Sequence, residues 1–195
     1  EVITTPMTFS STISSIVHAG ATPVLADINP DTFNIDPNSI IKKITKKTKA
    51  IIIVHLAGLP CDLDKILKIK TKYNLFLIED CAHAVESKYR GKHLGTFGDA
   101  GCFSFYSTKN LTTGEGGMIL FKDSKLYNKA KIMSLHGLTK DAWNRKQISE
   151  NNKDKNETFH YDVKEIGYKY NLTDLNASMG LVQLGKIEKN LKKRK

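Results

Sequence analysis

Several residue types are scarce in this sequence, and each shortage excludes a class of protein. Its 195 residues include three cysteines, five prolines and one tryptophan, and aromatic residues make up only 8%. The cysteines are odd in number and lack Cys-x-x-Cys spacing, which argues against a disulfide scaffold or a zinc site and indicates a reducing cytoplasm. No apolar run approaches the ~20 residues of a membrane span, and the first residues do not resemble a signal peptide. We therefore expect a cytoplasmic protein with no metal centre and no membrane partner.

The chain does have an excess of basic residues. It carries 30 Lys and Arg against 20 Asp and Glu, a formal net charge of +10. The lysines are scattered along the chain, few aromatic residues lie among them, and no nucleic-acid-binding motif is present. We interpret the excess as solvated surface and expect no nucleic-acid partner.

The amount of apolar sequence is enough for a packed core, since hydrophobic residues make up 40% of the chain and charged residues 26%. The chain begins with Glu1 instead of Met, and Val2–Thr5 already has the composition of a strand. We therefore expect this sequence to be a piece of a longer protein.

Apolar runs that are typical of strands alternate with segments that have helical spacing. This alternation predicts an α/β fold with a mainly parallel sheet. The polar segment 139–165 interrupts the pattern, and we interpret it as a long surface loop. The predicted strands are Val2–Thr5, Pro23–Ile28, Ala50–Leu56, Leu75–Glu79, Cys102–Tyr106 and Gly117–Phe121, and the predicted helices are Ser10–Ala19, Asn38–Ile44, Asp62–Tyr73, Lys125–Leu135 and Thr173–Leu191.

Polar residues follow the predicted strands at the positions where α/β proteins bind ligands: Asp80, His83, Ser104 and Lys109. Asp80 ends an apolar strand, where a carboxylate is costly to bury without a cationic partner. Two interpretations of Asp80 have about even weight: a helix N-cap, or a carboxylate that faces a protonated ring nitrogen.

Lys109 lies between a buried strand and the Gly-rich run TTGEGG. An amine that is desolvated in such a place can lose its proton and form a Schiff base with an aldehyde. Ser104 and Ser107 are candidate donors to a phosphate or hydroxyl, although ordinary hydrogen bonding at a strand end explains either of them equally well. The aromatic and cationic segment 167–174 is, by itself, more typical of a packed turn.

Taken together, these segments resemble the DegT/DnrJ/StrS family of aminotransferases, which use pyridoxal 5′-phosphate and act on nucleotide-activated keto-sugars. The resemblance rests on EDCAHA around Asp80, on SFYSTKN and TTGEGG around Lys109, and on SLHGLTKDAW (134–143) and GYKYNLTDLNASMG (167–180). The opening EVITTPMTFSST and the run ATPVLADINPDTFNIDP also match, so it extends over essentially the whole chain. It implies the large cofactor-binding domain of a type I aminotransferase, with a mixed but mainly parallel sheet and flanking helices.

The resemblance also implies a role for each matching residue. Lys109 resembles the lysine that binds the cofactor covalently, and Asp80 the carboxylate that pairs with the pyridine nitrogen and keeps the ring protonated. His83 stands where the family often has Gln and would bond the ring hydroxyl, Phe9 resembles the aromatic that stacks on the ring, and Ser104 a serine that contacts the phosphate. Lys169 and Asn171 resemble a turn that reaches into the site of a partner subunit, with Lys169 in a position that is often Asn. Which of the two meets the phosphate stays open.

From the same resemblance we expect an aminotransferase that moves an amino group from glutamate to a nucleotide-linked keto-sugar, in amino-sugar or surface-polysaccharide biosynthesis, and that forms a homodimer. One branch of the family replaces the lysine with His and acts as a dehydratase, but Lys109 is present here. The alternative is a non-catalytic member that acts as a regulator or sensor. Family members also carry a phosphate-binding turn upstream of this sequence and a small domain after it, so we expect residues 1–195 to be an incomplete large domain.

Overall fold

The computed structural model describes residues 1–139 and 162–194. The described chain forms two compact units: one contains Glu1–Lys122 and the helical segment from Asp174, and the other lies within Asp123–Thr173. The loop predicted at 139–165 falls mostly on 140–161, outside the described residues, and stays a prediction.

A six-stranded sheet forms the centre of the first unit, with strand order β2-β1-β3-β4-β7-β8. All neighbouring strands are parallel except β7 and β8, which are antiparallel. The predicted mixed, mainly parallel sheet is therefore confirmed. The strands are β1 Val2–Thr4, β2 Pro23–Leu25, β3 Ala50–Val54, β4 Phe76–Asp80, β7 Ala100–Ser104 and β8 Gly117–Phe121, and a separate hairpin consists of β5 Lys88–Tyr89 and β6 Lys92–His93.

Helices flank this sheet, and their ends follow the expected capping chemistry. Asp36 caps the second helix by accepting the N–H of Asn38, with Pro37 in the first helical position. Asp62 caps the third helix through the N–H of Lys65. The helices of this unit are α1 Ser10–His18, α2 Pro37–Lys43, α3 Leu63–Tyr73, α5 Asp174–Leu184 and α6 Ile187–Arg194.

Alternation along β3 and β4 separates the core from the candidate site. Ile53 of β3 pairs with Glu79 of β4, and Val54 pairs with Asp80. Since successive side chains point to opposite faces, Glu79 shares a face with Ile53, and Asp80 shares the other with Val54. The first face belongs to the core cluster, whose fully buried members include Ile3, Ile40, Ile51, Ile53, Leu63, Ile66 and Leu77.

Only β8 has its predicted bounds; the ends of the other predicted elements differ by one to three residues, and two of these elements differ in a further respect. The strand predicted at Cys102–Tyr106 lies at Ala100–Ser104 and includes Gly101. A Cβ atom on Gly101 would lie 2.2 Å from the carbonyl oxygen of Gly95, so close backbone packing requires glycine within this strand. The single helix predicted at Thr173–Leu191 is two helices, α5 and α6, which are separated by Gly185 and Lys186.

The second unit contains helix α4, Ser124–Met133, which is capped by Asp123 through the N–H of Lys125. Beyond α4, isolated bridges join Leu135 to Lys169 and Leu138 to Val163. None of the helices in the described ranges is both long and apolar enough to cross a lipid bilayer.

Candidate active site

A cavity of about 350 Å³ lies in the first unit, at the carboxyl ends of β3, β4 and β7. Val54, Asp80 and Cys102 are aligned across these strands, and Ser104 lies two residues further on the same face as Cys102. The sheet thus brings residues that are far apart in the sequence to one edge. The cavity is lined by Thr8, Phe9, Ser11, Val54, Leu56, Asp80, Ala82, His83, Ser104, Tyr106, Thr108 and Lys109.

Asp80 is held from two sides. Its Oδ1 accepts the backbone N–H of Ala82 at 3.0 Å, and its Oδ2 accepts the hydroxyl of Thr12 at 3.0 Å. No helix begins after Asp80; the chain continues in turns through residues 82–86. The interpretation of Asp80 as a helix N-cap is therefore wrong, and its carboxylate instead lines the cavity.

Lys109 is placed by a tight turn that follows β7. Its backbone N–H donates to the carbonyl oxygen of Tyr106 at 2.9 Å, and the residue is half-buried. The Oγ of Ser104 accepts the N–H of Tyr106 at 3.3 Å, so the hydroxyl proton of Ser104 remains available to a ligand. The turn therefore presents an amine and a hydroxyl donor to the same cavity.

Lys109 also influences His83, the imidazole in the cavity wall. Burial lowers the pKa of His83, the positive charge of Lys109 lowers it further, and Asp80 opposes both effects. The ring is therefore held in its neutral form near neutral pH, in which one nitrogen donates and the other accepts.

A second turn supports the segment after Lys109. Gly114 lies in the left-handed region at φ 78°, and the side-chain amide of Asn176 donates to the carbonyl oxygens of Thr113, at 2.9 Å, and Glu115, at 2.7 Å. Gly180, one helical turn after Asn176, leaves room for Thr113, since a Cβ atom there would lie 3.1 Å from its methyl group. Helix α5 therefore anchors the TTGEGG turn.

The remaining predicted residues are exposed. Phe9 precedes α1 and lines the cavity, with 77% of its surface accessible. Lys169 and Asn171 lie in the second unit, where the Lys169 ammonium donates to the Asn171 amide oxygen. The structure thus brings Phe9, Asp80, His83, Ser104 and Lys109 to one cavity, while Lys169 and Asn171 form a pair of their own.

Behind the cavity lies a buried cluster that the sequence did not predict. The Oε2 of Glu79 lies 3.0 Å from Nε2 of His55, and both oxygens of Glu79 accept backbone N–H groups from Gly95, Phe97 and Gly98. Burial opposes ionisation of Glu79, but the hydrogen bonds from His55, Gly98 and Gly95 outweigh it and hold the pKa of this carboxyl below its ordinary value.

Together with Cys81, these two residues place ligand atoms within 4.8 Å of one another, which is close enough for a metal ion. However, Nδ1 of His55 accepts the N–H of Cys61 while Nε2 faces Glu79, so both ring nitrogens are occupied. Burial raises the pKa of the Cys81 thiol, so it is not the thiolate that a metal requires. The hydrogen bonds of His55 and Glu79 account for both of these groups without a metal.

Sequence reasoning missed Thr12 and Asn176, which hold the predicted residues in place. Thr12 lies one helical turn before Ile16, and both are buried. A polar residue on the inward stripe of an amphipathic helix was the signal that could have identified Thr12. For Asn176 the signal was weaker. Asn176 and Gly180 are four residues apart in GYKYNLTDLNASMG and therefore lie on the same side of the helix, and this spacing was the only indication.

Comparison with known proteins identifies sequences and structures that are similar to this chain. The model of the DegT/DnrJ/EryC1/StrS aminotransferase family matches residues 1–195. The chain is 50% identical over 194 residues to the uncharacterized protein MJ1066 of Methanocaldococcus jannaschii. The match covers 100% of this chain and 48% of that protein. It is 47% identical over 194 residues to the spore coat polysaccharide biosynthesis protein SpsC of Bacillus subtilis, again covering 100% of this chain and 48% of the relative. The chain thus spans about half the length of the curated relatives it matches.

A solved structure supports the same relationship. Helicobacter pylori PseC, an aminotransferase involved in the biosynthesis of pseudoaminic acid, superimposes with a TM-score of 0.84 at 34% identity. The match covers 96% of this chain and 46% of PseC. The predicted α/β fold of a type I aminotransferase is therefore confirmed.

Proposed function

Because the chain belongs to the DegT/DnrJ/EryC1/StrS aminotransferase family, we propose that it is part of an aminotransferase that uses pyridoxal 5′-phosphate. In this proposal the enzyme moves an amino group from glutamate to a nucleotide-linked keto-sugar. One observation carries the proposal: a single cavity is lined by the carboxylate of Asp80, the imidazole of His83, the hydroxyl of Ser104 and the amine of Lys109.

These groups fit the chemistry of the cofactor. Pyridoxal 5′-phosphate has a ring nitrogen, a ring hydroxyl, an aldehyde and a phosphate, and the cavity offers groups suited to each. Asp80 would face the ring nitrogen, His83 the hydroxyl, Lys109 the aldehyde and Ser104 the phosphate, while Phe9 would pack on the ring. When bound, the cofactor supplies an electron sink for the carbon that loses a proton.

The residues of this chain would do the remaining work. Asp80, fixed by Ala82 and Thr12, would hold a proton at the ring nitrogen by ion pairing. The amine of Lys109 would bind the aldehyde and, once released, move the proton between carbon atoms as a general base and then an acid. Neutral His83 can donate a hydrogen bond without adding a positive charge beside Lys109.

A second cavity of about 350 Å³ supports the role of Lys109. It shares Ala82, His83, Thr108 and Lys109 with the first cavity and is also lined by Ala57 and Asn110. An amine that borders both cavities can reach a cofactor in one and a substrate in the other. This arrangement is what a transfer reaction between two bound molecules requires.

The substrate class comes from the family and the relatives. SpsC is a spore coat polysaccharide biosynthesis protein, and PseC is an aminotransferase of pseudoaminic acid biosynthesis. Both names support a sugar as the amino acceptor, in the synthesis of an amino sugar or surface polysaccharide. The proposals that the sugar is linked to a nucleotide and that glutamate is the amino donor rest on the family resemblance.

The proposal includes a homodimer whose sites are shared. One residue of the exposed pair Lys169 and Asn171 would reach the phosphate in the neighbouring subunit. Residues 1–195 would then belong to the large domain of each subunit, in a cytoplasm that keeps the three free thiols reduced. Mixing Lys109→Ala subunits with subunits that are altered at both Lys169 and Asn171 tests the sharing: activity returns if sites are shared, and no recovery on verified mixing means that one chain builds each site.

The function itself is tested on the protein at its natural full length. After loading with pyridoxal 5′-phosphate, the yellow colour should bleach on addition of glutamate and return on addition of the correct nucleotide keto-sugar from a panel. Lys109→Ala serves as the inactive control. A protein that binds no cofactor, or that binds it and neither bleaches nor transfers, would refute the aminotransferase and leave the non-catalytic regulator or sensor.

A further inference from the structure

Thr12 makes the only side-chain hydrogen bond to Asp80 that the described part of the chain contains. It projects from α1, 68 residues away in sequence, and only 5% of its surface is accessible. A polar group this deeply buried requires a partner, and the carboxylate of Asp80 provides it. Thr12 does not line the cavity, so it reaches a ligand only through Asp80.

The direction of these hydrogen bonds follows from the donors available. A carboxylate only accepts, so the single proton of the Thr12 hydroxyl points to Oδ2 of Asp80. The hydroxyl of Thr8 lies 2.7 Å from that of Thr12, and because the Thr12 proton is already committed, Thr8 is the donor. The result is a chain that runs from Thr8 through Thr12 to Asp80.

We infer that Thr12, supported by Thr8, is a positioning residue that fixes the Asp80 carboxylate toward the ring nitrogen of pyridoxal 5′-phosphate. This inference rests on the proposed function. The N–H of Ala82 holds one carboxylate oxygen and Thr12 the other, so the plane of the group is set from both sides. Donors to both oxygens also limit rotation of the carboxylate, so that it keeps one orientation toward the ring nitrogen.

The test compares pyridoxal 5′-phosphate with 1-deazapyridoxal 5′-phosphate, in which a C–H group replaces the ring nitrogen. Dissociation constants for both are measured by absorbance on the apo form of the full-length protein. We expect the natural protein to prefer the cofactor, and Thr12→Val to reduce that preference about tenfold, the equivalent of one charge-assisted hydrogen bond. Thr12→Ser, which keeps the hydroxyl, should retain it.

Two controls separate positioning from general damage. Thr4 is also fully buried, and its hydroxyl donates to the carbonyl oxygen of Ile52 at 3.0 Å, so Thr4→Val removes a comparable bond elsewhere. It should leave the preference unchanged. In an Asp80→Asn background, Thr12→Val should have no further effect on the preference, since the two residues act as one unit.

The outcomes are distinct. If Thr12→Val weakens both ligands equally, or leaves the preference intact, Thr12 is structural and the inference is wrong while the proposed function stands. If the natural protein binds the two ligands equally or binds neither, the proposed role of Asp80 fails and the inference fails with it. Should Thr12→Val not fold, Thr12→Ala carries the same comparison, because it removes the same hydroxyl from Asp80.

Discussion

Nε2 of His55 lies 3.0 Å from Oε2 of Glu79, and both side chains are completely inaccessible to solvent. Since Nδ1 of His55 accepts the N–H of Cys61, the ring is neutral and carries its proton on Nε2, which donates to Glu79. Glu79 is therefore a buried carboxylate that is stabilised by hydrogen bonds from His55 and from three backbone N–H groups. Glu79, which directly precedes Asp80 in the sequence, thus connects His55 at the end of β3 to the segment Gly95–Gly98.

Replacing Glu79 with Gln should lower the free energy of unfolding by about 3 kcal/mol at pH 7, because an amide nitrogen would face backbone N–H donors. The pKa of Glu79 is lowered in the folded protein, so its stabilisation is complete above the ordinary glutamate pKa of about 4.3 and is lost as the pH falls through the lower folded pKa. Urea unfolding at several pH values measures how the free energy of unfolding changes with pH. The variant should show a smaller loss of stability in acid than the natural protein, and exposed Glu188→Gln should change little. Equal acid sensitivity of the two proteins would contradict this account.

Lys109 should be the site of covalent cofactor attachment, because its turn presents the amine to the cavity that Asp80 also lines. Borohydride reduction of the loaded full-length protein, followed by peptide mapping, should find the cofactor on Lys109. Lys109→Ala should abolish the label, and the exposed Lys92→Ala should not. A label on any other lysine would end the assignment.

Asp80→Asn should lower the rate of amino transfer about 100-fold or more, because a neutral amide cannot form the ion pair with a protonated ring. The fold should persist, since the amide oxygen can still accept the N–H of Ala82. Single-turnover kinetics with glutamate, alongside thermal unfolding, separates the two effects. An enzyme that is fully active with Asn at this position would show that the carboxylate is only structural, and Asp31→Asn, at an exposed position, is the matched control.

Asn176→Asp should destabilise the turn after Lys109 by about 1–2 kcal/mol, because two carbonyl oxygens would lose their donor and face a carboxylate instead. We expect a lower unfolding temperature and weaker cofactor binding. The same change at exposed Asn128, within α4, should have little effect on either measurement. Unchanged cofactor affinity despite a lower unfolding temperature would limit Asn176 to a role in stability.

The thiols should be unreactive in the folded protein. Burial, reinforced by the charge of Glu79, raises the pKa of Cys61 to about 12, and burial raises that of Cys102 to about 11. Because the thiolate is the reactive form, iodoacetamide at pH 8 should modify these residues only after urea unfolds the chain. Rapid labelling of Cys61 under native conditions, detected by mass spectrometry, would contradict its burial.

Local sequence determined the parts of this protein that depend on neighbouring residues. The apolar run Gly117–Phe121 forms β8 with the predicted bounds, and Asp36 with Pro37 begins α2 as their capping chemistry requires. The positions of Asp80 and Lys109 beside strand ends, which indicated a ligand site, also followed from short motifs. These features can be predicted from the sequence because hydrophobic periodicity and helix capping depend on residues within a few positions of one another.

Tertiary structure alone decided which distant groups meet. Thr12 reaches Asp80 across 68 residues, Asn176 reaches Thr113 across 63, and His55 reaches Glu79 across 24. It also decided that Asp80 faces a cavity instead of capping a helix, and that β7 includes Gly101, which lies before the predicted strand. The physical reason is that a buried polar group is satisfied by whichever partner the packed sheet brings to it, and a glycine is required wherever two backbones approach closely.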